Sequence, residues 1–564
     1  MSDVTFGMKI TSVSSEPRPA VVADLSVAGL VGTAPNADPL VYPLNQPVLI
    51  FSDDTVALTA LGTTGTLPDA VTGINDQLGD FQVAAKVVIV RVEAGGDDDA
   101  TITNIVGLQA SKTGIWALPE AGPVLGVIPR LIAAPGFTAQ QKTGISAIAM
   151  TVLGTGYVSA PTVAVSGGGG TGAAGTAVLT NGITLAVTTP GTGYTAAPTL
   201  TISAPPPGGV QATATVTVNA GALQTITVTN PGSGYVTAPT VTITGVGTGG
   251  VITASLTGRV GSVTITNAGT GYTSAPTIAF SGGSGTGAAA TATVDQLANP
   301  VCAALPPVLS RMLAHAWVQG PGTTLAAFTN WRETINSQRI VPVDGGVRVG
   351  ISATLVDGAP RAIGALIRRD YEKGAPFHSA ANQPIYGIVG TQRPLAFSLV
   401  DAATEGQQIL SLNGGVFLRG EAGVETAIAS GGYIYVGTDN AGDDPLWQFY
   451  NVTRGRDFIH LMFLKTLRTF LGRSNITGAT IEAILNTMKF ALRDLKADDH
   501  ILGYKVGFTR DQNSPEQLRL GRFTVDFAAE EAPVLRYLGI RSSRYRPALD
   551  ALLDDLLAQV DVAA

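Results

Sequence analysis

GTGYVSAPTV (154–163), GTGYTAAPTL (191–200), GSGYVTAPTV (232–241) and GTGYTSAPTI (269–278) are four copies of one motif. Their tyrosines, Tyr157, Tyr194, Tyr235 and Tyr272, stand 37, 41 and 37 residues apart, and a fixed period of this length marks an internal repeat. Each unit reads as a strand, a G-x-G-Y-x-x-A-P turn, a second strand, a Gly-rich loop and a third strand. Thr, Val and Ile alternate, and Gly and Pro punctuate. Arg259 is the one charged residue between Lys142 and Asp295. Residues 143–296 are therefore expected to form an all-β domain of four repeats, each tyrosine packing over the neighbouring repeat and bonding its hydroxyl locally. The competing use of these tyrosines is a sugar-binding surface.

Outward from the repeats the pattern changes. On the N-terminal side, VAGLVGTA (27–34), PVLIFS (47–52), VVIVRV (87–92) and PRLIAAPGF (129–137) read as strands, and LPDAVTGINDQLG places Val71, Ile74 and Leu78 at helical spacing. On the C-terminal side, VCAALPPVLSRMLAH reads as helical except near its two prolines. AWVQGP and RIVPVDG read as strands, and TLAAFTNWRETI as a helix. The simplest organisation is one α/β domain, residues 20–142 plus 297–365, interrupted at a surface loop by the repeats.

Residues 366–530 are expected to form a second α/β domain. A helix near 456–472 is apolar nearly all round and should be buried, which makes His460 a core histidine. A second, near 480–496, carries Ile481, Ile484, Leu485, Met488, Leu492 and Leu495 on one stripe, with Lys489, Arg493 and Lys496 away from it. A hairpin follows, with Tyr504, Val506 and Phe508 on one strand and Phe523, Val525 and Phe527 on the other, joined by a polar loop. Alone it would be marginal, and its edges invite further strands. The ends look like arms. Val4, Phe6, Met8 and Ile10 alternate with polar residues, as in a strand with no hairpin partner beside it, and a linker completes residues 1–19. Residues 531–564 end in an amphipathic helix with Leu549, Leu552, Leu553, Leu556, Leu557 and Val560 on one face. That face could dock on its own subunit or on a neighbour.

Composition excludes several classes. Of 564 residues 13% are charged, against about 25% in ordinary globular proteins, while 45% are hydrophobic, so the chain is not of the disordered kind. A net charge of −7 without a basic block argues against nucleic acid. One cysteine, Cys302, permits neither an internal disulfide nor a Cys-based zinc site, and reads as a buried small apolar residue. The opening MSDVTFGMKITSVSSEP lacks the charged-then-apolar pattern of an export signal, and no run of about 18 apolar residues predicts a membrane span. Synthesis in the cytosol is expected.

Catalytic signatures are missing from the sequence: no P-loop, no H-E-x-x-H, no G-x-S-x-G. Gly170, Gly172 and Gly175 spell G-x-G-x-x-G, but a strand-like TAVL follows instead of a helix, so they read as loop glycines. Asp97, Asp98 and Asp99 lack the spaced ligands of a calcium loop and read as a solvated loop. His315, His378, His460 and His500 are scattered. No catalytic, cofactor-binding or metal-ligating residue is assigned, and no cofactor is expected.

These stretches in this order resemble the contractile tail sheath family of myophages and R-type tailocins. The resemblance rests on VAGLVGTAPNADPLVYPLNQPVLIFS (27–52), VVIVRVE (87–93), RLIAAPGF (130–137) and GALIRRDYEKGAPFHSAANQPIYGI (364–388). It continues through QQILSLNGGVFLR (407–419), NVTRGRDFIHLMFLKTLRTFLG (451–472) and LRLGRFTVDFAAEEAP (518–533). In one departure, YIYVGTDNAGDDPLW (433–447) stands where the family has a Trp-Gly strand end. The fold class implied is α+β multidomain: α/β sheath core domains with the all-β four-repeat domain inserted, on the outer surface.

The resemblance further implies a structural, non-enzymatic subunit of stacked six-fold rings and a helical sheath around an inner tail tube. Contraction of that sheath would drive the tube through a cell envelope. The other implied partners are the baseplate and the tail terminator, with no membrane insertion, and the implied location is a virion tail assembled in a bacterial host. Val4, Phe6, Met8 and Ile10 would then be a strand arm donated to a neighbour's hairpin, and Lys489, Arg493 and Lys496 candidates to face the tube. The alternatives are the sheath of an extracellular contractile injection particle, or a particle adhesin whose Gly-Tyr-Ala-Pro repeats bind glycan. A secreted enzyme is disfavoured, as is a type VI secretion sheath, which is built from two different chains.

Overall fold

An apolar run such as KVVIVRV has no polar face to offer water. In the computed structural model, which describes residues 24–79 and 83–562 (backbone alone for 560–562), it lies in a sheet covered on both sides. The sheet has nine strands: β1 (Ala28–Thr33), β2 (Pro47–Phe51), β3 (Lys86–Val92), β4 (Leu131–Ala133), β5 (His315–Gln319), β6 (Ile340–Asp344), β7 (Gln383–Pro384), β8 (Gly415–Arg419) and β9 (Tyr433–Val436). Their spatial order is β7-β9-β8-β6-β5-β4-β1-β3-β2. The six strands from β8 to β3 run parallel, and β2, β9 and β7 are antiparallel additions at the edges.

Alternation along the strands splits the core into two layers. Leu30, Val87 and Ile89 meet Val71 and Ile74 of α1 (Leu67–Asn75) and Ile363 and Leu366 of α5 (Ala359–Lys373). Val31, Val90 and Val92 face Ile102 and Ile105 of α2 (Asp98–Val106), Leu305 and Val308 of α3 (Pro300–Met312) and Trp331 of α4 (Leu325–Glu333).

Three expectations change here. The break expected at the prolines of α3 is absent: the helix runs through Pro306 and Pro307, because Val301, Cys302, Leu305, Val308, Leu309 and Met312 are all buried along it and tertiary packing outweighs the lost backbone bonds. Asp97, read as part of a solvated loop, caps α2, its carboxylate accepting from Ala100 N at 2.8 Å, with Asp98 and Asp99 in the first turn where the helix dipole favours acids. The boundary expected at 365/366 falls inside α5, and the same sheet takes β7, β8 and β9 from beyond it. Val416 and Leu418 serve one layer and Phe417 the other, so β8 buries both faces.

Between β4 and α3 the chain runs through the repeat motifs. Strands 143–155 and 286–296 leave and return side by side, Thr143 opposite Gln296, with Leu297 N donating to Lys142 O at 2.8 Å. Long strands at 174–192 and 248–267 pair antiparallel. Strand 162–166 joins 277–281, and 199–202 joins 241–244. The first motif copy is thus paired with the fourth, and the second with the third.

All four tyrosines are buried. Tyr157 lies flat over Gly285, where an added Cβ would stand 2.3–2.5 Å from three ring atoms; Tyr272 lies likewise over Gly170. Packing over the adjacent repeat therefore fails for these two, whose ring faces lie on glycines from the opposite end of the segment, because the chain folds back as one long hairpin. Tyr235 Oη accepts from Ala212 N at 2.9 Å and donates to Ser203 O at 3.2 Å. Arg259, nearly buried, donates from Nε to Gly154 O and from Nη1 to Gly232 O, tying the first and third turns together.

Candidate assembly surfaces

Beyond the sheet, α6 (Tyr450–Leu467) and α7 (Gly478–Ala497) pack on each other and on a two-stranded sheet, β10 (Ile501–Gly507) and β11 (Asp526–Glu531). The helix expected near 456–472 thus begins and ends earlier. Its charges are what hold it to the rest. Arg454 and Asp370 of α5, both nearly inaccessible, pair in a bidentate contact (Nη2–Oδ2 2.6 Å, Nη1–Oδ1 3.3 Å), and Ser26 Oγ donates to the same carboxylate at 2.9 Å. Arg339 beside β6 pairs with buried Asp457 at 3.0 Å. Arg456 grips Glu531 of β11 with Nε–Oε1 2.6 Å and Nη2–Oε2 2.9 Å, and its guanidinium stacks 5.0 Å from the Trp447 ring. Fork-to-fork pairs of this kind fix direction as well as distance.

His315, at the start of β5, sits in the same junction, Nε2 3.1 Å from Thr453 Oγ1 and Nδ1 3.8 Å from Asp457 Oδ2. Burial holds its pKa down to about 3, against 6.5 in a free imidazole, with Asp457 pulling the other way. A base whose folded pKa lies below its unfolded value contributes stability in full above about 6.5, and loses it as pH falls toward 3. His315→Gln keeps a donor for Thr453 and cannot titrate. It is expected to flatten the loss of stability between pH 7 and 5 by up to about 1.4 kcal/mol per pH unit, measured by urea unfolding at a series of pH values. Parallel curves for variant and wild type would refute this.

In the hairpin, Val506 stands opposite Phe527 and Tyr504 opposite Ala529. Phe523 and Val525, expected in the second strand, precede it. Asn513 takes the backbone of that segment instead, accepting from Thr524 N at 2.7 Å and donating to Thr524 O at 2.9 Å, so those groups cannot join the ladder. A helical turn, Pro515–Arg519, occupies the loop expected to be merely polar. Phe508 is exposed and its ring meets Phe523 at 5.4 Å. Among the described residues β10 and β11 form a sheet of two strands, so each keeps an unpaired edge. Lys489, Arg493 and Lys496 are exposed along α7. Val4, Phe6, Met8 and Ile10 lie outside the described residues.

His460 is not in the core: it reaches the surface, edge-on to Phe527 at 5.7 Å, and lines an apolar groove of about 860 Å³. The groove runs between the C-terminal end of α6, the start of α7 and residues 521–527, with Phe463, Leu467, Ile484 and Phe523 in its walls. After β11 the chain is extended and exposed: Leu535, Tyr537, Leu538 and Ile540 are each more than 70% accessible. It ends in α8 (Pro547–Val562), whose Leu549, Leu552, Leu553, Leu556 and Leu557 all face solvent.

No cluster of His, Cys, Asp or Glu among the described residues could hold a metal ion, and none of their helices is long and apolar enough to cross a membrane. Cys302 is fully buried, and burial pushes its thiol pKa far up, away from reactivity.

Residues 26–92 match the family described as tail sheath protein Gp18 domain III, N-terminal region. The tail sheath protein of Escherichia phage P2 is 32% identical over 170 residues, 28% of this chain and 41% of that protein. The major tail sheath protein of Serratia phage KSP20 is 38% identical over 126 residues, 21% of this chain and 30% of that protein. The chain therefore spans less than half the length of these two relatives. Among solved structures, the PVC sheath complex of an extracellular contractile injection system in its contracted state shares the fold. It has a TM-score of 0.50 over 97% of this chain and 99% of that one, at 9% identity.

Proposed function

We propose that this chain, which belongs to the contractile tail sheath family, is the structural subunit of a sheath that polymerises around an inner tube and contracts to drive it through a cell envelope. The observation that carries the reading is the segment after β11: about 30 residues rich in Leu, Tyr and Ile that bury almost nothing against their own subunit. Apolar surface on that scale is stabilised by burial against another chain. Two unpaired edges of the β10–β11 sheet offer backbone donors and acceptors to strand arms from neighbours, with Val4–Ile10 as the donated strand.

Six-fold stacked rings, a tube contacted by Lys489, Arg493 and Lys496, and baseplate and terminator at the ends complete the assembly. We divide the chain into a sheet-bearing body, a C-terminal unit of α6, α7, β10 and β11, two arms, and the four-repeat segment 143–296 as an inserted outer domain. Contraction is a rigid-body rotation of subunits between two packings that differ by about a few kcal/mol each. The arms keep the lattice continuous meanwhile. No nucleotide enters the cycle. Against the adhesin reading, all four repeat tyrosines are buried, so their rings are not free to stack on sugars.

Negative-stain electron microscopy of the purified protein at high concentration tests the assignment. Long hollow tubes with a helical surface lattice and outer knobs are expected; dispersed particles that persist after the cognate tube is added would overturn it. Deleting residues 1–12 is expected to abolish tubes while leaving a folded monomer by circular dichroism. Ordered tubes from that truncation would eliminate the strand-arm role.

A further inference from the structure

We propose that the groove between α6, α7 and residues 521–527 is the receptor for the C-terminal helix α8 of a second copy of this chain. It is a side-chain contact, separate from strand addition at the β10–β11 edges. Three observations meet in it.

The first is the match of surfaces. The groove is apolar and open, with Leu464 and Leu471 exposed at its rim. Helix α8 carries five described leucines on one face, all exposed, at the i, i+3, i+4, i+7, i+8 spacing by which an amphipathic helix lies in a groove.

The second is charge. Arg468 and Arg522 line the groove, and no Asp or Glu is among its lining residues. The sequence of α8, PALDALLDDLLAQVDV, contains four aspartates and no lysine or arginine. At about 100° per residue, Asp550 and Asp554 fall together along one border of the leucine face, where a docked helix would present them to an arginine rim.

The third is direction, which favours a second copy over the same chain. Arg536 pairs with Asp439 and lies 6.0 Å from the Phe449 ring. Phe449 precedes the first turn of α6, whereas the groove begins at His460, about 17 Å farther along the helix at about 1.5 Å per residue. The arm is thus fastened at the end of α6 remote from its own groove and leaves from there.

The proposal deepens the sheath reading but is tested apart from it. Chains carrying Leu556→Cys are mixed with size-tagged chains carrying Leu471→Cys, and mildly oxidised; Cys302 is buried and stays in place. A mixed disulfide between the two chains is expected to exceed both like-with-like dimers. Arg468→Glu with Arg522→Glu should remove most of it, and Asp550→Lys with Asp554→Lys on the helix-bearing chain should restore it. The proposal is overturned by mixed and like dimers in equal yield, by indifference to the charge changes, or by a double-cysteine chain that closes mainly on itself. Tubes that form without the cross-link would overturn the groove contact and leave the sheath reading standing. A cross-link without tubes would do the reverse.

Discussion

Arg454→Ala is expected to cost about 3–5 kcal/mol of stability, the largest effect of any single charged residue here. Removing the guanidinium leaves Asp370 buried with Ser26 as its remaining polar contact, and a carboxylate stripped of its partner in a dry site must either pay its full desolvation or take up a proton. The effect should be asymmetric. Arg454→Met combined with Asp370→Leu, which removes both charges, should recover most of the loss, because a buried ion pair contributes little beyond an apolar pair of similar size. Equilibrium unfolding in urea of the single and double variants checks this; a single-variant loss below about 1 kcal/mol would mean that water already reaches the pair.

Tyr157→Ala should cost a similar amount, about 3–5 kcal/mol, but in one part of the molecule. The ring fills the space between Gly285, Val260 and Val263, where deletion leaves a cavity that the long strands 174–192 and 248–267 cannot close without losing register. Hydrogen exchange is expected to rise across 143–296 and stay unchanged in β1–β9. Uniform loss of protection across both regions would show that they unfold as one unit. Tyr272→Ala, at the mirror position over Gly170, should match it in extent and location.

Much of this architecture is legible in the sequence because its signals are local. The nearly unbroken apolar run at 87–92 and the helical spacing of Val71, Ile74 and Leu78 each describe a segment that packs as it reads. The repeat period announces strands and turns, yet not their partners. Pairing of the first copy with the fourth is set by a long-range register that no window of sequence contains. The boundary at 365/366 failed for a related reason: β7, β8 and β9 are two to five residues long, too short to signal which sheet they join. In α6 the apolar count hid the informative residues. Arg454, Arg456 and Asp457 within so buried a helix require partners, and that requirement was the available clue to the junction with α5 and β11. The groove arises from four separate parts of the chain, Leu313 and the segments 460–476, 480–488 and 521–527, and belongs to the tertiary structure alone.

The neck at Thr143 and Gln296 has a consequence for how such a chain can change. These two residues face each other across an antiparallel ladder, so their Cα atoms are about 5 Å apart. A tight turn, or any polypeptide whose own ends emerge together, fits that gap without disturbing β4 or α3. The position is a socket: what is plugged into it can be exchanged between lineages, or replaced in the laboratory by a foreign domain, and would then be carried once per subunit at high density along whatever the chain builds.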